Sequence, residues 1–177
     1  MITIDQPALA LHSCDVPGYL YQMQTTYKMP PNASASDLVY WISSTVNQSA
    51  EMRLANVVIN THGGPGALYT GGGGATPITD ASAFAPLRNF DIGTLWIVGC
   101  LVAIGSNGFA FCSQLATTIG CDVIAANDYQ FVERRFLGGN PQPFGAIDDF
   151  EGAAYRFGPD GSNEVYSIHD PLAEGYN

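Results

Sequence analysis

The sequence predicts one α/β domain, residues 1–177, built on a mainly parallel sheet, and three features carry that reading. Residues 54–61 and 95–100 are short apolar runs rich in Val, Ile and Leu, the composition of strands buried on both faces. Residues 105–119 place Cys112, Leu115, Ala116 and Ile119 at i, i+3, i+4 and i+7, which is helical spacing, and lead into a third strand-like run at 122–126. Strand, helix and strand in that order make a βαβ unit, whose strands must be parallel. With 177 residues, 46% of them hydrophobic, the chain is long enough to bury a core and fits one domain better than two.

Taken in order, residues 1–27 mix strand-like residues with Pro17 and Gly18, and Pro30, Pro31 and Asn32 break the chain before a first helix. Ser34 stands three residues before Asp37, a capping arrangement, and Leu38, Trp41, Ile42 and Val46 recur at helical spacing. The strand at 54–61 cannot continue through the glycine-rich stretch 63–74, so a long loop is expected from His62. Residues 79–89 read as a short helix capped by Thr79 or Asp80, and 95–100 as the next buried strand. Gly105, Ser106, Asn107 and Gly108 turn the chain into the second helix. Residues 129–136 read as β-hairpin material, and so does the pair 153–157 and 164–168, joined by Pro159, Asp160 and Gly161. A loop is expected at 138–145.

Six basic residues against sixteen acidic ones give a formal charge of -10, which repels phosphate backbones and anionic lipid. Neither nucleic acid nor a membrane is therefore an expected partner. The longest apolar stretch, 95–104, is too short to span a bilayer, and residues 1–20 lack the basic and apolar regions of a secretory signal. A soluble protein is expected, cytoplasmic or exported without a cleaved signal, and its oligomeric state is left open. Cys14, Cys100, Cys112 and Cys121 show neither CxxC spacing nor the density of a disulfide scaffold, so free thiols are expected.

Parallel strands deliver their C-terminal ends to one edge, where open α/β sheets place their sites, and His62 and Cys100 both follow such strands. A thiol is an effective nucleophile only as the thiolate, and a free cysteine of pKa ~8.5 needs an imidazole or a positive neighbour to supply one. His62 is the candidate base, and the N–H groups of Gly63 and Cys100 are candidate donors to a developing oxyanion. Taken singly, a strand-end cysteine is more often a small buried hydrophobe, and a His-Gly turn more often a backbone necessity. Their shared edge is what raises them above that. Cys112 and Cys121 read as core residues. His12, His62 and His169 show no paired ligand spacing, and the glycines at 71–74 lack the Lys-Ser/Thr of a phosphate loop, so no metal or cofactor is expected.

Thr-His-Gly-Gly-Pro-Gly-Ala-Leu-Tyr-Thr-Gly at 61–71, Trp-Ile-Val-Gly-Cys-Leu-Val-Ala at 96–103 and the segment Asn-Gly-Phe-Ala-Phe-Cys at 107–112, continuing to 126, together resemble the caspase-like (clan CD type) cysteine peptidases. The likeness is nearest to bacterial members, namely a domain at the start of large surface proteins and modules of polymorphic toxins, and it runs over residues 54–128. The resemblance implies a caspase-haemoglobinase fold: a three-layer sandwich with helices flanking a mainly parallel sheet, and a C-terminal β-hairpin. It also implies a His62–Cys100 catalytic dyad, a peptide or protein substrate, and a role as cysteine endopeptidase or self-processing module, in a bacterial effector or toxin-associated setting. Leu101 departs from the pattern, since the surface-protein domains often show asparagine there, and so does Gly99. Many clan members that cleave after Arg or Lys carry an aspartate two residues before the nucleophile. Val98 in that place implies an uncharged, small or aliphatic P1 residue, unless Asp128, Glu133 or Asp148 supplies a charge from a later loop.

His-Gly-Gly-Pro-Gly also resembles the oxyanion loop of α/β-hydrolases, where the order nucleophile, acid, histidine would be met by Cys100, then Asp128 or Asp148, then His169. Val98 and Val102 stand where that family's strained elbow needs glycine. A third reading keeps the caspase-like scaffold as a catalytically inactive binding module.

Overall fold

Ser34 caps a helix as its spacing to Asp37 predicts. Its Oγ accepts from the Asp37 N–H at 3.2 Å while the Asp37 carboxylate accepts from the Ser34 N–H at 2.8 Å, so two of the first-turn donors are satisfied reciprocally. The computed structural model that shows this describes residues 1–18, 20–71, 76–130 and 143–169. The helix, α1, is Ala35–Gln48 and buries Leu38, Ile42 and Val46. The second helix, α2, is Gly105–Ile119, and Gly120, at φ +87°, ends it in the left-handed conformation glycine permits. The segment expected as a short helix at 79–89 is a 3₁₀ helix, Ala81–Asn89. Asp80 is its cap, accepting from the Ser82 N–H, and Pro86 sits within it.

Eleven strands are described: β1 (Ile2–Thr3), β2 (Ala8–His12), β3 (Thr25–Lys28), β4 (Arg53–Asn60), β5 (His62–Gly64), β6 (Ala67–Tyr69), β7 (Asp91–Val98), β8 (Asp122–Ala126), β9 (Ala146–Ile147), β10 (Gly152–Phe157) and β11 (Asn163–His169). Seven form the central sheet in the order β11-β10-β8-β7-β4-β2-β3. From β8 to β3 every pairing is parallel, and β10 and β11 add an antiparallel hairpin at one edge. The α/β class, the mainly parallel sheet and the C-terminal hairpin agree with the sequence reading.

The three-layer expectation does not hold among the described residues. From β4 through β7 to β8 the chain steps across the sheet in one direction, and right-handed crossovers taken in one direction all fall on one face. Accordingly α1, α2 and the 3₁₀ helix pack into one cluster with Leu9, Leu11, Val57, Ile59, Leu95, Ile97 and Val123. The alternate residues Ala8, Ala10, Val58, Trp96, Val98 and Ile124 point the other way, as the two-residue period of a strand requires. That second face is covered by Ile4, Tyr21, Met23, Ile147 and Phe150 on short segments rather than by helices. Trp96 stays satisfied there because its indole N–H donates to Asn56 Oδ1 at 2.7 Å, and Asn56 Nδ2 donates to the Asp5 carbonyl at 2.8 Å.

Three local expectations also change. The chain after β4 does not open into a long loop at His62: β5 and β6 form a short antiparallel hairpin, and residues 72–75 lie outside the described residues. Strand β7 ends at Val98, leaving Cys100 in the turn beyond it. Tyr129 and Gln130 carry no strand, while the remainder of the expected hairpin segment, 131–136, and the loop residues 138–142 lie outside the described residues. No helix among the described residues is long and apolar enough to cross a membrane.

Candidate functional site

Strand order reverses at β2. The connection leaving β2 carries Tyr21 and Met23 over the second face on its way to β3, whereas the connection leaving β4 carries the 3₁₀ helix over the helical face. Diverging connections open a crevice at the C-terminal ends of the two strands between them, which is where open α/β sheets bind ligands. The strand ends are locked side by side: the Ser13 N–H donates to the Asn60 carbonyl at 2.8 Å, and the Thr61 N–H donates to the Val98 carbonyl at 3.0 Å. His62 follows β4 by two residues, and Cys100 follows the neighbouring β7 by two as well.

The glycines after His62 seat this hairpin on the Cys100 turn. A Cβ on Gly63 would lie 2.5 Å from the Cys100 carbonyl oxygen and 3.1 Å from the Cys100 nitrogen, so the two backbones touch there and leave no room for a side chain. The Gly66 N–H donates to the Val102 carbonyl at 3.1 Å. Gly66 holds φ +69°, and a Cβ there would lie 2.7 Å from the Asn107 carbonyl. His62 is thereby carried on a hairpin fixed against the residues on both sides of Cys100.

Each reactive group has a partner in the structure. The His62 side chain is about half exposed, at 47%, and its Nε2 lies 3.5 Å from Asp15 Oδ2. The half-buried Cys100 Sγ accepts from the Gln130 N–H at 3.3 Å and faces the Gln130 carbonyl at 3.7 Å. Imidazole and thiol share the edge without a hydrogen bond between them: the ring is turned to Asp15, the thiol to the Gln130 main chain. Gln130 is itself tied down, its side-chain amide donating to the carbonyls of Asp128 and Glu151 at 3.1 Å each. Two of the other three thiols differ from Cys100. Cys112 and Cys121 are buried, and burial pushes each up to about 12, which leaves them un-ionised near neutrality.

The other sequence candidates are spread around the edge. Val98 is buried in the second-face cluster, at 8% exposure, among Trp96, Tyr21 and Phe150. Asp128 is exposed, its carbonyl accepting from the Leu101 N–H at 2.9 Å and its carboxylate from the Tyr129 N–H at 2.7 Å. Asp148 is buried and accepts from the Tyr21 hydroxyl at 3.4 Å; burial and that carboxylate together hold the Tyr21 phenol well above its ordinary value. Glu133 lies outside the described residues. His169 ends β11, three strand spacings from β7, or about 14 Å, so the hydrolase order of residues does not bring it to Cys100. Asp15 and Gln130 were not singled out in the sequence. Asp15 was accessible in principle, because reading Ala8–His12 as a strand puts it on the same edge.

Leu101 occupies the left-handed region at φ +60°, a conformation that costs a Cβ-bearing residue about 1 kcal/mol and that asparagine tolerates. Leu101→Asn is expected to raise the melting temperature by roughly 2 °C in a thermal scan, and no rise would show that Leu101 packing outweighs the backbone term.

Comparison with protein families finds one match, to the Domain of unknown function (DUF4347), over residues 23–139. The match spans about two thirds of the chain and contains His62, Cys100 and every element from β3 to β8; the chain belongs to this family. Comparison with curated proteins gives no match.

Proposed function

We propose that this member of the DUF4347 family is a cysteine endopeptidase or self-processing protease module in which Cys100 is the nucleophile and His62 the base. The observation that supports the reading most is the seating of Gly63 on the Cys100 backbone, which holds a strand-end histidine and a strand-end cysteine on one edge beside the strand-order reversal. With the thiol turned from the Gln130 main chain toward the ring, His62 can take the thiol proton and return it to the leaving amine, while Cys100 attacks the scissile carbonyl. The amides of Gly63 and Cys100, brought together by the same contact, are the groups available to the oxyanion.

Limited iodoacetamide treatment of the folded chain, with the modified residues mapped by mass spectrometry, tests the nucleophile. Cys100 should be labelled at least tenfold faster than Cys112 and Cys121, and His62→Ala should remove most of that advantage. Equal labelling of the three thiols, or a His62→Ala variant labelled like the wild type, would sink the assignment. A positional-scanning peptide library then reads specificity. With Val98 rather than a carboxylate two residues before the thiol, small or aliphatic P1 residues are expected, and a dominant preference for Arg or Lys would overturn that part.

A further inference from the structure

We infer that Asp15 is a positioning residue for His62, turning the imidazole so that Nδ1 is left to serve Cys100; the inference rests on reading His62 and Cys100 as a base–nucleophile pair. Asp15 Oδ2 lies 3.5 Å from His62 Nε2, close enough for an ion pair once the ring is protonated. Its other oxygen, Oδ1, accepts from the Ser13 hydroxyl at 2.5 Å, and Ser13 is pinned to the sheet through its N–H on the Asn60 carbonyl. The carboxylate is thus held by the end of β2 and presented across the crevice to the residue that follows β4. His62 needs such a partner: its side chain is 47% exposed, whereas Asp15 is 26% exposed, so without Asp15 the ring is free to turn away into solvent. A carboxylate on one ring nitrogen selects the tautomer and orientation in which the other faces the nucleophile, and it steadies the imidazolium that forms when the thiol proton is taken. No other carboxylate among the described residues is paired with this ring: Asp128 bonds the Tyr129 N–H and Asp148 bonds Tyr21.

The test uses the full chain and needs no substrate. Iodoacetamide alkylation of Cys100 is followed from about pH 5 to about pH 9 in the wild type, in Asp15→Asn, which keeps an acceptor for Ser13 but loses the charge, and in Ser13→Ala, which loses only the strut. Asp15→Asn should slow labelling about fivefold below pH 7 and leave the rate near pH 9 unchanged. In a His62→Ala background the same substitution should change nothing. A wild-type profile in Asp15→Asn, or an equal loss at every pH, overturns the inference, the second outcome marking a merely structural role for the turn. If His62→Ala alone leaves the profile intact, the base–nucleophile reading itself has failed, which is distinguishable because Asp15→Asn then has no pair to act on.

Discussion

Gly63→Ala is expected to cost about 3 kcal/mol of stability, lowering the melting temperature by roughly 10 °C, and to displace the Cys100 turn in whatever fraction remains folded. The new Cβ would stand 2.5 Å from the Cys100 carbonyl oxygen and 2.5 Å from Cγ2 of the fully buried Val102, distances no real Cβ tolerates. One obstacle is backbone and the other is locked in the core, so neither can give way cheaply. Gly64→Ala is the control, because its Cβ would meet only the far end of the Tyr69 ring, at 3.3 Å, which can swing aside. Urea unfolding of the two variants beside the wild type, with the rate of Cys100 alkylation in each, separates them. A Gly63→Ala protein as stable and as reactive as Gly64→Ala would mean that the hairpin is not seated on the Cys100 turn, and the candidate site would lose the contact that defines it.

What the sequence disclosed and what it withheld follow from the kind of signal each element carries. Helices α1 and α2 and strand β8 were legible because apolar spacing, a capping box and the glycine turn at 105–108 act locally and agree with one another. Strand β2 was not, since Ala-Leu-Ala-Leu-His is short with two alanines among its five residues, and its strand character comes from being buried on both faces between β3 and β4. Missing β2 had two consequences. The reversal of strand order at its C-terminal end stayed invisible, and so did Asp15, whose approach to His62 depends on β2 lying beside β4. The second face is a similar case: Ile4, Tyr21, Met23, Ile147 and Phe150 come from the two ends of the chain, and no local periodicity announces that they will cover one sheet. His62 and Cys100, by contrast, needed only two strand-like runs and the rule that parallel strands share an edge. Val98 illustrates the limit of that rule: it gives the end of a strand but not the face, and Val98 proves to be packed among Trp96, Tyr21 and Phe150.

Acid should weaken this fold through His12, at the end of β2. Its ring is 1% exposed, Nδ1 accepts from Asn60 Nδ2 at 3.1 Å, and Nε2 has no hydrogen-bond partner among the described residues. Burial is the main cause that lowers its pKa from 6.5 to about 4; the nearby Tyr21 backbone opposes the shift, and the positive charge of Lys28 adds to it. The unfolded chain therefore takes up a proton at this residue near pH 6.5, while the folded protein resists until about pH 4. Stability is undiminished above the unfolded value and falls as pH drops through that window, by about 3 kcal/mol at pH 4. His12→Gln keeps an acceptor for Asn60 and removes the titration. Carboxylates such as Asp37, Asp80 and Asp160, which hydrogen bonds from nearby serines hold below their usual range, lose stability in acid in both proteins and cancel in the comparison. Denaturant unfolding at pH 7 and at pH 4 should therefore show the wild type losing about 3 kcal/mol more than His12→Gln, and equal losses would place the acid sensitivity elsewhere. Because His12 lies three residues before Asp15 and pairs in register with Asn60, two residues before His62, a charge forced onto it acts first on the strand ends that carry the candidate site.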